Sequence, residues 1–217
     1  MIVRNDCLKD QVYDYLVQKI HTNRLKAEEK VRELNICKDL GVSRTPVREA
    51  LVELAKEGYL ERIPRRGFRI RRLSVGEIRE AYLVIGCLEG FASRSAVSKL
   101  SESDFQSLSD LIAKMEECVQ KRDHDRYFIH QNMFHEIFVK ASGNQKLHQL
   151  ITSLKSRYVR QLHFKYPNKE ALFQVLGKTN DEHRKILKLL KTRKADELEV
   201  LLRNVHWNIV AFGHTAD

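Results

Sequence analysis

The sequence predicts a mostly α-helical protein in two parts: a winged helix-turn-helix with a small β-hairpin over residues 1–73, then an all-helical bundle of about six helices over 74–217. Three observations predict it. Only three prolines (Pro46, Pro64, Pro167) and nine glycines punctuate the 217 residues, which leaves long stretches free to be helical. Strand-like alternation occurs in one stretch alone, Tyr59 to Arg71. That stretch directly follows two short helical patterns joined by a three-residue turn.

The first helix is read from Leu8, Val12, Tyr15, Leu16, Lys19 and Ile20, which share helical spacing, and it ends near His21 to Arg24. A short second helix over about 32–40 offers Leu34, Ile36, Cys37 and Leu40 to a core and stops at Gly41, a residue suited to a left-handed helix terminus. The next eleven residues, GVSRTPVREAL from Gly41 to Leu51, form a turn and a third helix. Pro46 suits a first helical turn and biases Thr45 away from helical geometry, so Thr45 is the expected N-cap. Val47, Ala50, Leu51 and Leu54 then lie on one face, with Ser43, Arg44, Thr45 and Arg48 opposite. After Gly58 the period changes to that of strands, and Pro64-Arg65-Arg66-Gly67 reads as the tip of a hairpin.

The chemistry of this first part is cationic. The whole chain carries a net charge of +10, and 17 basic against 11 acidic residues fall within 1–73. Such a balance favours an anionic partner. Six arginines lie between Arg62 and Arg72, and those at the tip, Arg65 and Arg66, are placed to reach a groove or phosphates. Backbone N–H groups at the start of the third helix, flanked by Arg44 and Arg48, make a docking surface for phosphate and base edges. A helix-turn-helix pattern alone is shared by many helical hairpins, and an arginine cluster alone is usually a solvated face. In this order and spacing they point together to double-stranded DNA.

Four cysteines (Cys7, Cys37, Cys87, Cys118) show no CxxC spacing and read as reduced thiols. Charged residues interrupt the N-terminus, and no window approaches 18 apolar residues, so the expectation is a cytoplasmic protein without a membrane span. Six helices are expected in the second part, at about 75–99, 102–121, 124–141, 145–165, 169–191 and 195–213, with Ser101 and Asp104 as a start signal and Gly143-Asn144 as a stop. Such a bundle can enclose a small-molecule pocket. Three histidines from different helices sit at or beside apolar faces: His135 with Phe128, Gln131 and Phe138, His183 with Ile186, Leu187 and Leu190, and His206 near Leu202, Val205 and Ile209. Each alone is an ordinary core histidine; three converging would form a metal site.

GVSRTPVREAL, with the LAKEGYL and RRGF segments after it, resembles the winged-helix DNA-binding domain of the GntR family of bacterial transcriptional regulators, over about residues 8–70. The resemblance implies that Ser43, Arg44, Thr45, Arg48 and Gly67 contact operator DNA. Glu28 stands where family members usually have glycine, an alteration expected in a loop. From Glu77 to Ile209 the chain is similar to the helical ligand-responsive FCD domain of the FadR-type branch, through Leu88-Glu89, Phe134-His135, Gly143-Asn144, Glu182-His183 and His206.

That second resemblance implies a divalent metal (zinc, nickel or manganese) on His135, His183 and His206, a small-molecule effector of the carboxylate class, and a homodimer that reads a pseudo-palindromic operator. Two departures bear on it. Gln131 replaces the usual aspartate one turn before the first histidine, and Ile85 replaces an arginine four residues before Glu89. Weaker or altered metal preference follows from the first, and the second leaves the effector class open. The expected protein is a regulator, repression being its expected sense, and not an enzyme: Glu136 and Glu182 are expected to point away from the histidines. A metal-dependent helical enzyme and a nonspecific architectural nucleic-acid-binding protein are the alternatives.

Overall fold

A computed structural model describes residues 7–21, 24–163 and 168–208. The chain divides into two compact units, Met1–Leu73 and Ser74–Asp217, each considered by itself.

The first unit contains α1 (Leu8–His21), β1 (Lys30–Val31), α2 (Glu33–Leu40), α3 (Arg44–Lys56), β2 (Leu60–Ile63) and β3 (Gly67–Ile70). Its core takes most of the apolar residues the spacing marked out: Val12, Leu16 and Ile20 of α1 and Ile36 of α2 bury with Val47, Ala50, Leu51 and Leu54 of α3, closed by Leu60, Phe68 and Ile70, whereas Leu8 and Leu34, expected on those faces, are 52 % and 54 % exposed. Gly41 has φ 66° and donates its N–H to the Cys37 carbonyl, which ends α2 and turns the chain into α3.

Two details of this unit differ from expectation. The N-cap of α3 is Ser43, not Thr45, and no side-chain bond caps the helix. The reason is that no N–H of the first turn has an intrahelical acceptor, so Pro46 fits as the third helical residue and need not be the first. The sheet also has a third member: β1 pairs antiparallel with β3, Lys30 opposite Arg69 and Val31 opposite Phe68, giving the order β1-β3-β2. Two residues are too few for a period to register. Glu28, just before β1, has φ 68° and donates its N–H to the Ile70 carbonyl, so the loop uses a left-handed residue where glycine would be unstrained.

The wing is the β2–β3 hairpin, with Ile63 opposite Gly67. At its tip Arg66 N–H closes on the Ile63 carbonyl at 3.0 Å, and Arg65 has φ 61°. Proline second and a left-handed residue third is the type II turn pattern.

The second unit contains α4 (Val75–Ala96), α5 (Glu102–Gln120), α6 (His124–Ala141), α7 (Gln145–His163), α8 (Lys169–Lys191), α9 (Ala195–Leu201) and a π-helical segment, Leu202–His206. Capping boxes Ser74/Glu77 and Ser101/Asp104 start α4 and α5, and Gly143 at φ 79° follows α6. Two glycines on α4 let the last helix approach closely. A Cβ on Gly86 would lie 3.0 Å from the Trp207 Cβ, and one on Gly90 3.2 Å from the Glu199 carbonyl oxygen.

The sequence pattern predicts a last helix unbroken over 195–213. Residues 209–213, with Ile209, lie outside the described residues, and the α-helix gives way to π geometry at Leu202. One extra residue in that turn rotates the side chains beyond it about the helix axis. His206 and Trp207 thus turn inward, 3 % and 1 % exposed, while Val205, expected beside His206, is 39 % exposed.

Candidate nucleic-acid interface and a buried histidine centre

Ser43, Arg44, Thr45 and Arg48 are all exposed at the start of α3, opposite its buried face. Arg65 and Arg66 are exposed at the wing tip, with Gly67 half-buried. A groove of roughly 850 Å³ brings Arg44 and Arg48 together with Arg62, Arg65, Arg66 and Gly67; Ser43 and Thr45 lie outside its lining. Sequence reasoning missed Lys30 and Arg32, which line the same groove from β1 and the start of α2. Only the pairing of β1 to β3 brings them there. Arg44, Arg65 and Arg66 make no ion pair with any described residue, whereas Arg48 Nε meets Glu33 Oε2 at 3.0 Å. The surface therefore joins helix N–H groups, unpaired guanidinium groups and a hairpin tip, the means by which proteins hold phosphate and read base edges.

In the second unit the three histidines do converge. His135 of α6, His183 of α8 and His206 of the π segment are each at most 3 % exposed. His135 Nε2 lies 3.3 Å from His183 Nε2 and 3.1 Å from His206 Nε2. Each ring is held from behind through Nδ1: His135 by Glu89 Oε2 at 2.6 Å, His206 by Glu182 Oε2 at 2.9 Å and His183 by Asn180 Oδ1 at 3.4 Å. Carboxylate and amide oxygens act here as acceptors, so with these partners each Nδ1 carries the proton and the Nε2 lone pairs face one another. Burial pushes His135 down to about 3 despite the raising pull of Glu89, and burial with the neighbouring imidazoles holds His183 well below its usual value.

Three imidazoles whose Nε2 lone pairs converge suit a cation. In a tetrahedral site with N–metal bonds of about 2.05 Å the N···N edges are about 3.3 Å; the two edges at His135 are 3.3 and 3.1 Å, and the ligand atoms of all three histidines lie within 4.8 Å of one another. Gln131, one turn before His135 and 7 % exposed, has an Oε1 without a hydrogen-bond partner among the described residues. The donor set thus fits a borderline divalent ion, three imidazoles with an amide oxygen on the same helix face as the first.

Glu89 is the group that sequence reasoning passed over. Fully buried on α4, it accepts from His135, from Lys155 Nζ at 3.0 Å and from Trp207 Nε1 at 2.8 Å. Burial pushes its carboxyl up, but His135 and Lys155 outweigh burial and hold it well below the usual carboxylate range. One signal was available. Glu89 falls on the i, i+3/i+4 stripe of the buried Ile78, Tyr82 and Ile85, and Lys155 on the i, i+4 row of the buried Leu147, Ile151 and Val159. Glu182 corrects the expectation that it points off the histidine face, since it reaches His206 on the adjacent helix. Glu136 does point elsewhere, to Lys140 and His148.

Comparison with known proteins bears on both sites. Residues 8–70 match the family of bacterial regulatory proteins called gntR, and residues 80–206 match the FCD domain. The chain is 28 % identical over 195 residues to the HTH-type transcriptional regulator YdhC of Bacillus subtilis, covering 86 % of this chain and 82 % of that one. It is 34 % identical over 137 residues to a probable D-xylose utilization operon transcriptional repressor of Paenarthrobacter nicotinovorans, covering 63 % and 60 %. Among solved structures, Escherichia coli McbR/YncC superposes with a TM-score of 0.78 over 97 % of both chains at 22 % identity, a likeness of fold.

Proposed function

Because the chain belongs to the GntR family of bacterial transcriptional regulators and its second unit is an FCD domain, we propose that the basic groove of the first unit reads operator DNA and that the histidine centre of the second anchors the signal that modulates it. The protein is a DNA-binding transcriptional regulator and not an enzyme, as its family and relatives are. No described helix is long and apolar enough to cross a membrane. The cytoplasm, where operator DNA lies, is the proposed place of work.

One observation carries the DNA reading: α3 and the wing present their arginines across a single groove. In this reading α3 enters the major groove, Arg44 and Arg48 meet base edges, Ser43 and Thr45 meet phosphates, and Arg65, Arg66 and Gly67 follow the adjacent backbone or minor groove. A duplex selected by the protein from a random library tests it. Selection of one pseudo-palindromic sequence supports the reading, and recovery of none overturns it.

A two-fold dimer would supply the two reading heads of a pseudo-palindrome. The surface that favours one is a stripe on α4 where Leu83, Val84 and Phe91 are 46, 48 and 54 % exposed around the exposed Cys87. A second copy of the same stripe would cover it, and Phe91→Glu would then leave a monomer in sedimentation.

His135, His183 and His206 would hold a divalent metal, zinc, nickel or manganese, with Gln131 nearby; when bound it supplies a Lewis-acidic point for an effector's oxygen or nitrogen. The chain's own groups set the rest. Glu89, Glu182 and Asn180 fix the Nδ1 tautomers and so aim Nε2 inward, while Phe134, Phe138 and Trp207 pack on the imidazole rings and keep water from them. An effector bound there would act by favouring one arrangement of the DNA heads over another. Lys155, the largely buried cation beside the centre, is engaged by Glu89, so a carboxylate effector would depend chiefly on the metal for its charge partner.

A further inference from the structure

We propose that Glu33 is a specificity-determining residue of the DNA interface: it aims Arg48 at a base edge and turns phosphate away from it. The proposal rests on the DNA-reading function above and extends it to a residue whose charge has the wrong sign for a nucleic-acid surface. Among the described residues lining the groove, Glu33 is the only acid, amid Lys30, Arg32, Arg44, Arg48, Arg62, Arg65 and Arg66.

Its geometry is specific. Glu33 is the first residue of α2, with a side chain 23 % exposed, and its Oε2 meets Arg48 Nε at 3.0 Å from across the turn. A guanidinium has five N–H donors in a fixed fork. Occupying Nε leaves the two Nη groups as the outward edge, and that edge matches guanine O6 and N7 bidentately. Arg48 itself is 66 % exposed, so the pair adds little to stability; what it fixes is orientation. A carboxylate there also repels any phosphate that approaches Arg48, weakening contacts that carry no sequence information. Specificity is a difference of affinities, and an acid that penalises the wrong partner raises it.

The alternative role for Glu33 is structural, since an acidic residue in a first helical turn stabilises the helix. Affinities of the full-length protein for two duplexes separate the roles: one selected by the wild type from a random library, and an unrelated duplex of equal length. Removing one acid acts like adding one phosphate contact, which at ~0.15 M salt is worth about fivefold in affinity and about 0.9 in the log–log salt slope.

Glu33→Gln is therefore expected to bind the unrelated duplex about fivefold more tightly with a steeper salt slope. Its ratio of selected to unrelated affinity should fall tenfold or more, with preference relaxed at the base pair that Arg48→Ala also relaxes. On the Arg48→Ala background the same change should alter the ratio less than twofold. Glu33→Asp, which keeps the charge but shortens the reach, should lower the ratio while leaving the unrelated duplex near wild-type affinity, and it serves if the glutamine variant folds poorly. A ratio within twofold of wild type for Glu33→Gln, or parallel loss of both affinities with a lowered melting temperature, overturns the proposal. If the wild type selects no sequence at all, the DNA reading itself falls.

Discussion

Replacing Glu89 by glutamine probes the histidine centre most searchingly, because that one carboxylate joins α4 to His135, Lys155 and Trp207. Two effects should result, and they are separable. Lys155, its side chain only 10 % exposed, loses the carboxylate 3.0 Å away. Removing one partner of a buried pair destabilises by about 3–5 kcal/mol. His135 Nδ1 also exchanges a charged acceptor for a neutral amide, which weakens its hold on the ring and its basicity; such outer-shell changes lower metal affinity about 10–100-fold. The assays are chemical denaturation of the metal-free protein and zinc titration against a competing chelator. Adding Lys155→Met removes the orphaned ammonium, so the double variant should recover most of the lost stability, to within about 1–2 kcal/mol, while zinc affinity stays low. Wild-type zinc affinity in Glu89→Gln would refute the reasoning, as would a double variant no more stable than the single one.

Three further outcomes are expected. In metal-free protein His135 and His183 are depressed in the folded state, so below pH 6.5 the unfolded chain binds protons that the folded chain does not; stability should fall from pH 6.5 toward 4.5 at up to about 1.4 kcal/mol per pH unit for each histidine, and a flat urea midpoint across that window would contradict it. Glu28→Gly should stabilise the first unit by about 0.5–1 kcal/mol, since it relieves a left-handed glutamate at φ 68°, measured by thermal unfolding. Gly90→Ala should lose about 1–3 kcal/mol by pressing on the Glu199 backbone, whereas Gly177→Ala, with open space around it, should gain about 0.5–1 kcal/mol; equal effects in denaturant would refute the close approach of α9.

The elements that carry the proposed DNA-binding surface were legible because their signals are local. Gly41 and Pro46 bracket a turn, the apolar set Val47, Ala50, Leu51 and Leu54 has a helical period, and Pro64 to Gly67 stands between alternating strands. The length of a helix start was less so: a proline is compatible with the whole first turn, and Ser43 rather than Thr45 proved to be the cap. The histidines were found through resemblance and their apolar neighbours, but the groups behind them depend on tertiary placement. Glu89 and Lys155 are 66 residues apart along the chain and meet only because α4 and α7 pack. The π segment leaves no mark in hydrophobic period over five residues, and so the inward turn of His206 and Trp207 had to be seen.

Whether α3 reads sequence through Arg48 is decided by the affinity of wild type and Arg48→Ala for a duplex selected by the wild type and for an unrelated one across a salt series. Arg48→Ala is expected to lose about 1–3 kcal/mol of discrimination per reading head, while binding to the unrelated duplex persists, weakened and still falling steeply with salt. Undiminished affinity of Arg48→Ala for the selected duplex would contradict it.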